Sequence, residues 1–141
     1  MKILVPVDGS EQSMRAVAYA LKKAKDHPSI EVTLLTVAYQ YDVTAFDGAV
    51  LLQQLATERS QEVFRERLED AKKIFDAAGV KVNAELLVGD PASVIISYVE
   101  KKGIDEVIMG SRGMSPLKAA VIGSVTYKVL QNVDVPVLVV K

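Results

Sequence analysis

Small residues at fixed spacing give this sequence its strongest chemical signal. Gly110 is followed by Gly113 after two intervening residues, and the pair Gly123-Ser124 follows after nine more. Glycines let backbone N–H groups approach phosphate oxygens without a Cβ in the way. A helix predicted to begin near Ser124 would add unpaired N–H groups and the positive end of its dipole. The spacing therefore predicts phosphate binding.

Other polar side chains of the same segment could take part in that binding. Thr126 adds a hydroxyl, and Arg112 and Lys118 could supply positive charge, although cations in loops are commonly only solvated. Ser124 could instead be a plain helix cap, and the glycines could serve turns alone. The segment matches neither G-x-x-x-x-G-K-[ST] nor G-x-G-x-x-G, which argues against P-loop NTPases and nicotinamide dehydrogenases.

The predicted strands and helices that must position this segment alternate along the chain. Runs of apolar residues predict strands over residues 2–7, 31–38, 81–88, 105–110 and 137–140. Helical spacing predicts one helix between the Ser10 cap and His27, and others over residues 48–78, 91–102 and 124–131. Strands alternating with helices indicate an α/β fold, with a parallel sheet covered on both faces. We expect one domain over residues 1–141.

In open parallel sheets, ligands bind beyond the carboxyl ends of the strands, where the strand order reverses. Asp8 follows the first strand and could contact a ligand or only cap a turn. The Gly89-Asp90-Pro91 turn is mainly structural in this interpretation. Tyr39 and Tyr41 could cover a bound base or only anchor their loop.

Composition excludes several other classes of function. The 141 residues carry a net charge of −1, no cysteine and one histidine, His27, which we place on the surface without a catalytic role. The chain therefore offers no disulfide framework, clustered-histidine zinc site or basic surface for nucleic acid. No apolar run approaches the ~20 residues of a membrane span, and we expect no signal peptide and a cytoplasmic location.

At this point the sequence resembles the universal stress protein family along essentially its whole length. The resemblance is carried by ILVPVDGSEQSMRAVAYA, LLTVA, VGDPASVI, DEVIMGSRGMSPLKAAVIGSVTYKVL and VPVLVV. The ATP-binding members of that family are marked by G-x2-G-x9-G-[ST], which Gly110, Gly113, Gly123 and Ser124 match. The resemblance implies an open five-stranded parallel sheet of order 3-2-1-4-5, as in the related adenine nucleotide alpha hydrolase-like folds.

The resemblance also implies which residues surround the nucleotide. Asp8 would lie against adenosine with Pro6 and Val7 beside it, and Val37 would line the adenine pocket. The glycines and Ser124 would hold the ribose and the phosphates. The predicted binding residues are Pro6, Val7, Asp8, Val37, Met109, Gly110, Arg112, Gly113, Gly123, Ser124, Val125 and Thr126. No catalytic residue and no protein-held metal ion are predicted, although Mg²⁺ or Mn²⁺ can accompany ATP.

The expected function is that of an ATP-dependent regulator or switch in the stress response. The alternative is an enzyme that uses the same site to hydrolyse ATP or to transfer its phosphoryl group, slowly or only with a partner. The apolar run Val135–Val140 would be a hazard on an exposed sheet edge. In the family this strand pairs with a second subunit, so the resemblance implies a homodimer; a helix covering the edge is the alternative. A further protein partner is compatible with this function, but nucleic acid and membranes are not expected.

Overall fold

The computed structural model describes residues 1–39, 49–112 and 122–141. Strands and helices alternate throughout these residues, as the sequence pattern predicts. In chain order they are β1 (Lys2–Pro6), α1 (Glu11–Asp26), β2 (Glu31–Ala38), α2 (Ala49–Ala77), β3 (Asn83–Val88), α3 (Pro91–Lys101), β4 (Glu106–Gly110), α4 (Ser124–Asn132) and β5 (Val137–Val140).

The described strands form one parallel sheet in the order β3-β2-β1-β4-β5. β1 lies at the centre, where Leu4 pairs with Thr33 of β2 on one side and with Val107 of β4 on the other. The chain leaves β1 toward β2 and later returns to its other side to form β4. The strand order therefore reverses between β1 and β4, and the order expected from the family resemblance is confirmed.

Two apolar clusters cover the two faces of the sheet. On one face, α1 and α2 bury residues such as Val17 and Phe75 against Val5 of β1. On the other face, Ile95 of α3 and Val129 of α4 pack against the opposite side chains of the sheet. Because side chains alternate along a strand, each central strand contributes apolar residues to both clusters. These two layers hold the carboxyl ends of the strands in one row.

Two short sequence signals fix where α1 begins and ends. Ser10 is its N-cap, and its hydroxyl accepts a hydrogen bond from the backbone N–H of Ser13 at 3.2 Å. His27 is its C-cap and is exposed, in agreement with the surface position expected for this residue. Among the described residues, no helix has both the length and the apolar character to cross a lipid bilayer.

Candidate functional site

A cleft of about 970 Å³ opens at the carboxyl ends of the strands, where β1 and β4 lie side by side. Its volume lies near the upper end of the roughly 300–1,000 Å³ range of small-molecule sites. The described residues that line it are Pro6, Val7, Asp8, Leu35, Val37, Tyr39, Phe64, Arg67, Val88, Gly89, Asp90, Pro91, Ile95, Met109, Gly110, Gly123, Ser124, Val125 and Thr126.

The base of the cleft is apolar and is built from strand ends. Val37 of β2 and Met109 of β4 are 8% and 4% exposed, and both belong to the cluster under α3 and α4. Pro6 and Asp8 alternate with Val5 and Val7, so they share the face of the sheet on which Val37 and Met109 lie. The base of the cleft can therefore contact the flat apolar surface of a ligand.

Asp8 caps the turn after β1 and also lines the cleft. Its Oδ1 atom accepts hydrogen bonds from the backbone N–H of Ser10 at 2.9 Å and from the Ser10 hydroxyl at 2.6 Å. This pattern is a turn stabilised by its own carboxylate. Asp8 is half-buried and lines the cleft, so the turn holds its carboxylate in place at this surface.

The N-terminus of α4 forms the wall beyond β4. Gly123 is the N-cap, with φ −69° and ψ 162°, and Ser124 is the first helical residue. Ser124 is therefore not the cap, contrary to one of the two sequence interpretations. The N–H of Gly123 donates to the carbonyl of Ser111 at 2.7 Å, but the next three N–H groups belong to the first turn, where a helix supplies no acceptor. Ser124, Val125 and Thr126, which carry these N–H groups, line the cleft, and no side chain in the described part of the chain caps them.

Thr126 lines the cleft but has a structural bond of its own. Its hydroxyl is buried and donates to the carbonyl of Gly110 at 2.9 Å, which ties α4 to the end of β4. The hydroxyl hydrogen is used in this bond, so Thr126 can offer a ligand its backbone N–H rather than its hydroxyl hydrogen.

The N-terminus of α3 faces the same cleft but carries a negative charge. Asp90 is its N-cap and accepts hydrogen bonds from the Ser93 backbone N–H at 3.0 Å and from the Ser93 hydroxyl at 2.7 Å. These bonds hold the pKa of Asp90 below its usual value, and the positive charge of Lys128 lowers it further. An anionic group is therefore favoured at the N-terminus of α4 and disfavoured at the N-terminus of α3. The two ends of the cleft thus differ in their preference for negative charge.

Asp90→Ala should lower the free energy of unfolding by about 1 kcal/mol at neutral pH, because the first turn of α3 loses its cap. Since the folded-state pKa of Asp90 is lowered, its contribution is fully present above the unfolded value of about 3.9 and is lost as the pH falls through the folded value. Denaturant titrations of both proteins at pH 7 and in steps below pH 4 measure the difference. A difference that grows below pH 4 would contradict this assignment.

Residues from α2 complete the cleft on the side of α1, and sequence reasoning did not find them. The buried ring of Phe64 lies edge-on to the Tyr39 ring, with 5.2 Å between the centroids. The guanidinium carbon of Arg67 lies 5.3 Å from the centroid of the same Phe64 ring. The spacing of Phe64 is that of a core residue on an amphipathic helix, and nothing in that spacing shows that the middle of α2 lies against the cleft.

Ten of the twelve predicted binding residues line this cleft; they are Pro6, Val7, Asp8, Val37, Met109, Gly110, Gly123, Ser124, Val125 and Thr126. Arg112 is not among the lining residues, and its carbonyl instead lies 3.3 Å from the Ser10 hydroxyl. Gly113, Lys118 and Tyr41 lie outside the described residues. Gly89, Asp90 and Pro91, interpreted mainly as a turn, line the cleft as well.

The charged side chains among the described lining residues are Asp8, Asp90 and Arg67. Within the described ranges, no three histidine, aspartate or glutamate side chains are grouped so that they could hold a metal ion. Among the described residues, the arrangement is that of a binding cleft with an apolar base, a helix N-terminus without a capping side chain, and Arg67 as the lining cation.

Comparison with known proteins places the fold and the sequence in one family. The model of the universal stress protein family matches residues 1–141. Universal stress protein MJ0531 of Methanocaldococcus jannaschii is 38% identical over 142 residues, which cover 99% of this chain and 81% of that protein. Universal stress protein YxiE of Bacillus subtilis is 35% identical over 99% of this chain and 98% of its own length.

Solved structures agree with this result. The structure of MJ0577, a universal stress protein of M. jannaschii, superposes with a TM-score of 0.84 at 33% identity and covers 99% of this chain and 94% of that chain. Two less similar structures share the fold. A universal stress protein in complex with cAMP has a TM-score of 0.68 at 23% identity, and covers 99% of this chain and 95% of its own. A universal stress protein family protein from Arabidopsis thaliana with AMP bound has a TM-score of 0.70 at 22% identity. This match covers 100% of this chain and 91% of that chain.

The family model matches the whole length of the chain, and two relatives are more than 30% identical over nearly all of it. The chain belongs to the universal stress protein family.

Proposed function

We propose that this protein binds ATP in the cleft and works as a nucleotide-dependent regulator of the stress response in the cytoplasm. The observation that carries the proposal is the uncapped N-terminus of α4, which opens onto the same cleft as Asp8 and Val37. One ligand that places an aromatic ring on an apolar base and an anion on a helix N-terminus would use both features, and ATP has both groups.

The electrostatics of the cleft support one orientation of the nucleotide. The adenine would lie on the apolar base beside Val37 and Met109, with Asp8 facing the adenosine. The phosphates would extend to the first turn of α4, where N–H groups and the dipole favour negative charge. Asp90 would repel phosphates from the N-terminus of α3, and its carboxylate is better suited to accept a bond from a ribose hydroxyl.

The comparisons support an adenine nucleotide as the ligand class to test first. Two proteins of the same fold were solved with cAMP and with AMP. ATP shares the adenosine of both, and the G-x2-G-x9-G-[ST] spacing of this chain supports the triphosphate in particular. We propose that Mg²⁺ or Mn²⁺ arrives with the triphosphate, bound mainly through phosphate oxygens.

Equilibrium dialysis of the purified protein against ATP should show one nucleotide per chain, and Gly123→Val should weaken this binding at least ~10-fold. Gly123 has a φ of −69° and a ψ of 162°, which valine also adopts, so the substitution places a bulky side chain at the cap without requiring a change of these dihedral angles. The effect therefore reports a side chain in the path of the ligand. Wild-type protein that binds no ATP would overturn the proposed function.

A matched control separates this effect from a loss of folding. Ala18→Val makes a similar small-to-valine change on the exposed face of α1, away from the cleft, and should leave ATP affinity unchanged. Thermal unfolding of both variants shows whether each remains folded. Phosphate release measured in the same samples tests the alternative of an ATP-hydrolysing enzyme, which predicts steady turnover that Gly123→Val abolishes.

We also propose that the protein works as a homodimer that pairs through β5. β5 is the last strand of the sheet, and all four of its residues, Val137–Val140, are half-buried apolar side chains. A second copy of the same strand would satisfy the outer backbone groups and cover this apolar edge.

A further inference from the structure

Arg67 is a charged cleft residue that neither the glycine spacing nor the strand ends predict. It lies on α2, three residues after Phe64, and is half-buried against the first turn beyond β1. A Cβ placed on Gly9 would lie 2.7 Å from Cδ of Arg67 and 2.9 Å from its Cγ. The arginine stem therefore crosses directly over Gly9, whose φ of +85° and missing side chain make room for it.

This packing positions the guanidinium, and no hydrogen bond joins its donors to any residue in the described ranges. The guanidinium carbon lies over the face of the Phe64 ring, 5.3 Å from its centroid, so this planar group is within the range of a cation–π contact. The N–H donors project from the edge of the plane, where they match the paired oxygens of a phosphate. Among the described residues, no carboxylate lies within ion-pair distance of Arg67.

The stem of Arg67 lies over the turn that contacts the start of the glycine segment. Gly9, under the arginine stem, is followed by Ser10, whose hydroxyl lies 3.3 Å from the Arg112 carbonyl. Arg112 comes two residues after Gly110, at the beginning of the segment that ends at the α4 cap. Contacts therefore run from Arg67 through the α1 turn to the segment whose glycines predict phosphate binding.

The charges that line the cleft also favour a role for Arg67 in binding an anion. ATP carries several negative charges, and Asp8 and Asp90 add two more among the described lining residues. Arg67 is the cation of that described lining, and its partial burial strengthens its interaction with an anion relative to bulk water.

We infer that Arg67 donates hydrogen bonds to the phosphate groups of the bound nucleotide and makes affinity increase with the negative charge of the ligand. This inference rests on the proposed function, because it assigns a role within the same nucleotide site. Arg67 is then a residue that determines specificity for nucleotides over nucleosides.

Titration calorimetry with ATP, ADP, AMP and adenosine tests the inference. Charge-assisted hydrogen bonds are among the stronger ones, so Arg67→Gln should weaken ATP binding about 10- to 100-fold while changing adenosine affinity by less than ~3-fold. Arg67→Lys should give an intermediate loss, because it keeps the charge but not the planar fork. Raising the salt concentration should weaken ATP binding more in the wild type than in Arg67→Gln.

The controls make the possible failures distinguishable. Arg65→Gln removes an exposed arginine from the same helix and should leave every affinity unchanged. Wild-type protein that binds ATP together with an Arg67→Gln variant of unchanged ATP affinity would overturn the inference and leave the proposed function standing. An equal loss for adenosine and ATP would also overturn it, since Arg67 would then contact the nucleoside. Wild-type protein that binds no ATP would instead reject the proposed function.

Discussion

Gly110→Val should lower the free energy of unfolding by at least ~3 kcal/mol, a large share of the roughly 5–15 kcal/mol that keeps a typical domain folded. A Cβ placed on Gly110 would lie 2.7 Å from the carbonyl carbon of Gln12 and 2.7 Å from the backbone nitrogen of Ser13. Both atoms belong to the first turn of α1, so no side-chain rotation relieves the clash. The helix or the strand would have to move.

The surroundings of Gly110 make that movement costly. The first turn of α1 is held by the Ser10 cap, and the carbonyl of Gly110 accepts the Thr126 hydroxyl of α4. A shift of β4 away from α1 would therefore disturb two helices and the shared carboxyl end of the sheet. Gly110→Ala should show the same effect at a smaller size, about 1–3 kcal/mol.

Denaturant unfolding followed by circular dichroism measures these changes. Ala18→Val on the exposed face of α1 serves as the control and should cost only about 0.5 kcal/mol, the helix propensity difference. A Gly110→Val variant as stable as this control would show that α1 does not lie as close to β4 as the structure places it.

The same contact changes how the glycine spacing is interpreted. Gly110 was identified as a phosphate-binding glycine from its position in the motif, but the approach of α1 is by itself sufficient reason for a glycine there. A loss of ATP binding in a Gly110 variant would therefore not separate ligand contact from damaged packing. Gly123, with its ordinary φ, gives the cleaner test of the ligand site.

Most of the fold could be predicted because its signals are local. The predicted bounds of β2 and β5 agree with the structure, since each is an apolar run bounded by turn or helix residues. β3 begins at Asn83 rather than at residue 81, because its pairing with β2 starts where Asn83 meets Thr33. That starting point depends on the register between strands, which the sequence of one strand does not contain.

The candidate site likewise has one part that the sequence could predict and one part that it could not. Asp8, Val37 and Gly110 follow or end strands, and a parallel sheet necessarily brings such positions together, so the base of the cleft could be predicted. Phe64 and Arg67 enter through the packing of α2 over the β1–α1 turn. Their spacing in sequence is that of an ordinary amphipathic helix, which has no feature that indicates a ligand.

Val139→Pro should convert the proposed dimer into a folded monomer. In a parallel ladder, one residue directs both its N–H and its C=O to the same neighbouring strand, and successive residues alternate between the two sides. The carbonyls of Pro136 and Val140 accept hydrogen bonds from Val107 and Ser111, so these alternate positions face β4. Val137 and Val139 therefore direct their backbone groups to the outer edge of the sheet.

Proline at position 139 removes an outward N–H and leaves the β4 ladder intact, because no bond to β4 uses that group. The Val139 side chain belongs to neither of the two apolar clusters, so the substitution spares the core. The expected result is a large increase in the dimer dissociation constant with little change in the stability of the subunit.

Light scattering coupled to size exclusion measures the mass directly. The wild-type protein should have twice the 15.3 kDa mass of one chain, and the Val139→Pro variant should have the mass of a single chain. Val139→Thr keeps the N–H and nearly the same shape, so it should remain a dimer and serves as the matched control. A wild type that is monomeric at micromolar concentration would contradict the homodimer. A Val139→Pro variant that stays dimeric would place the interface on another surface, because a pairing through β5 requires the outward N–H of Val139.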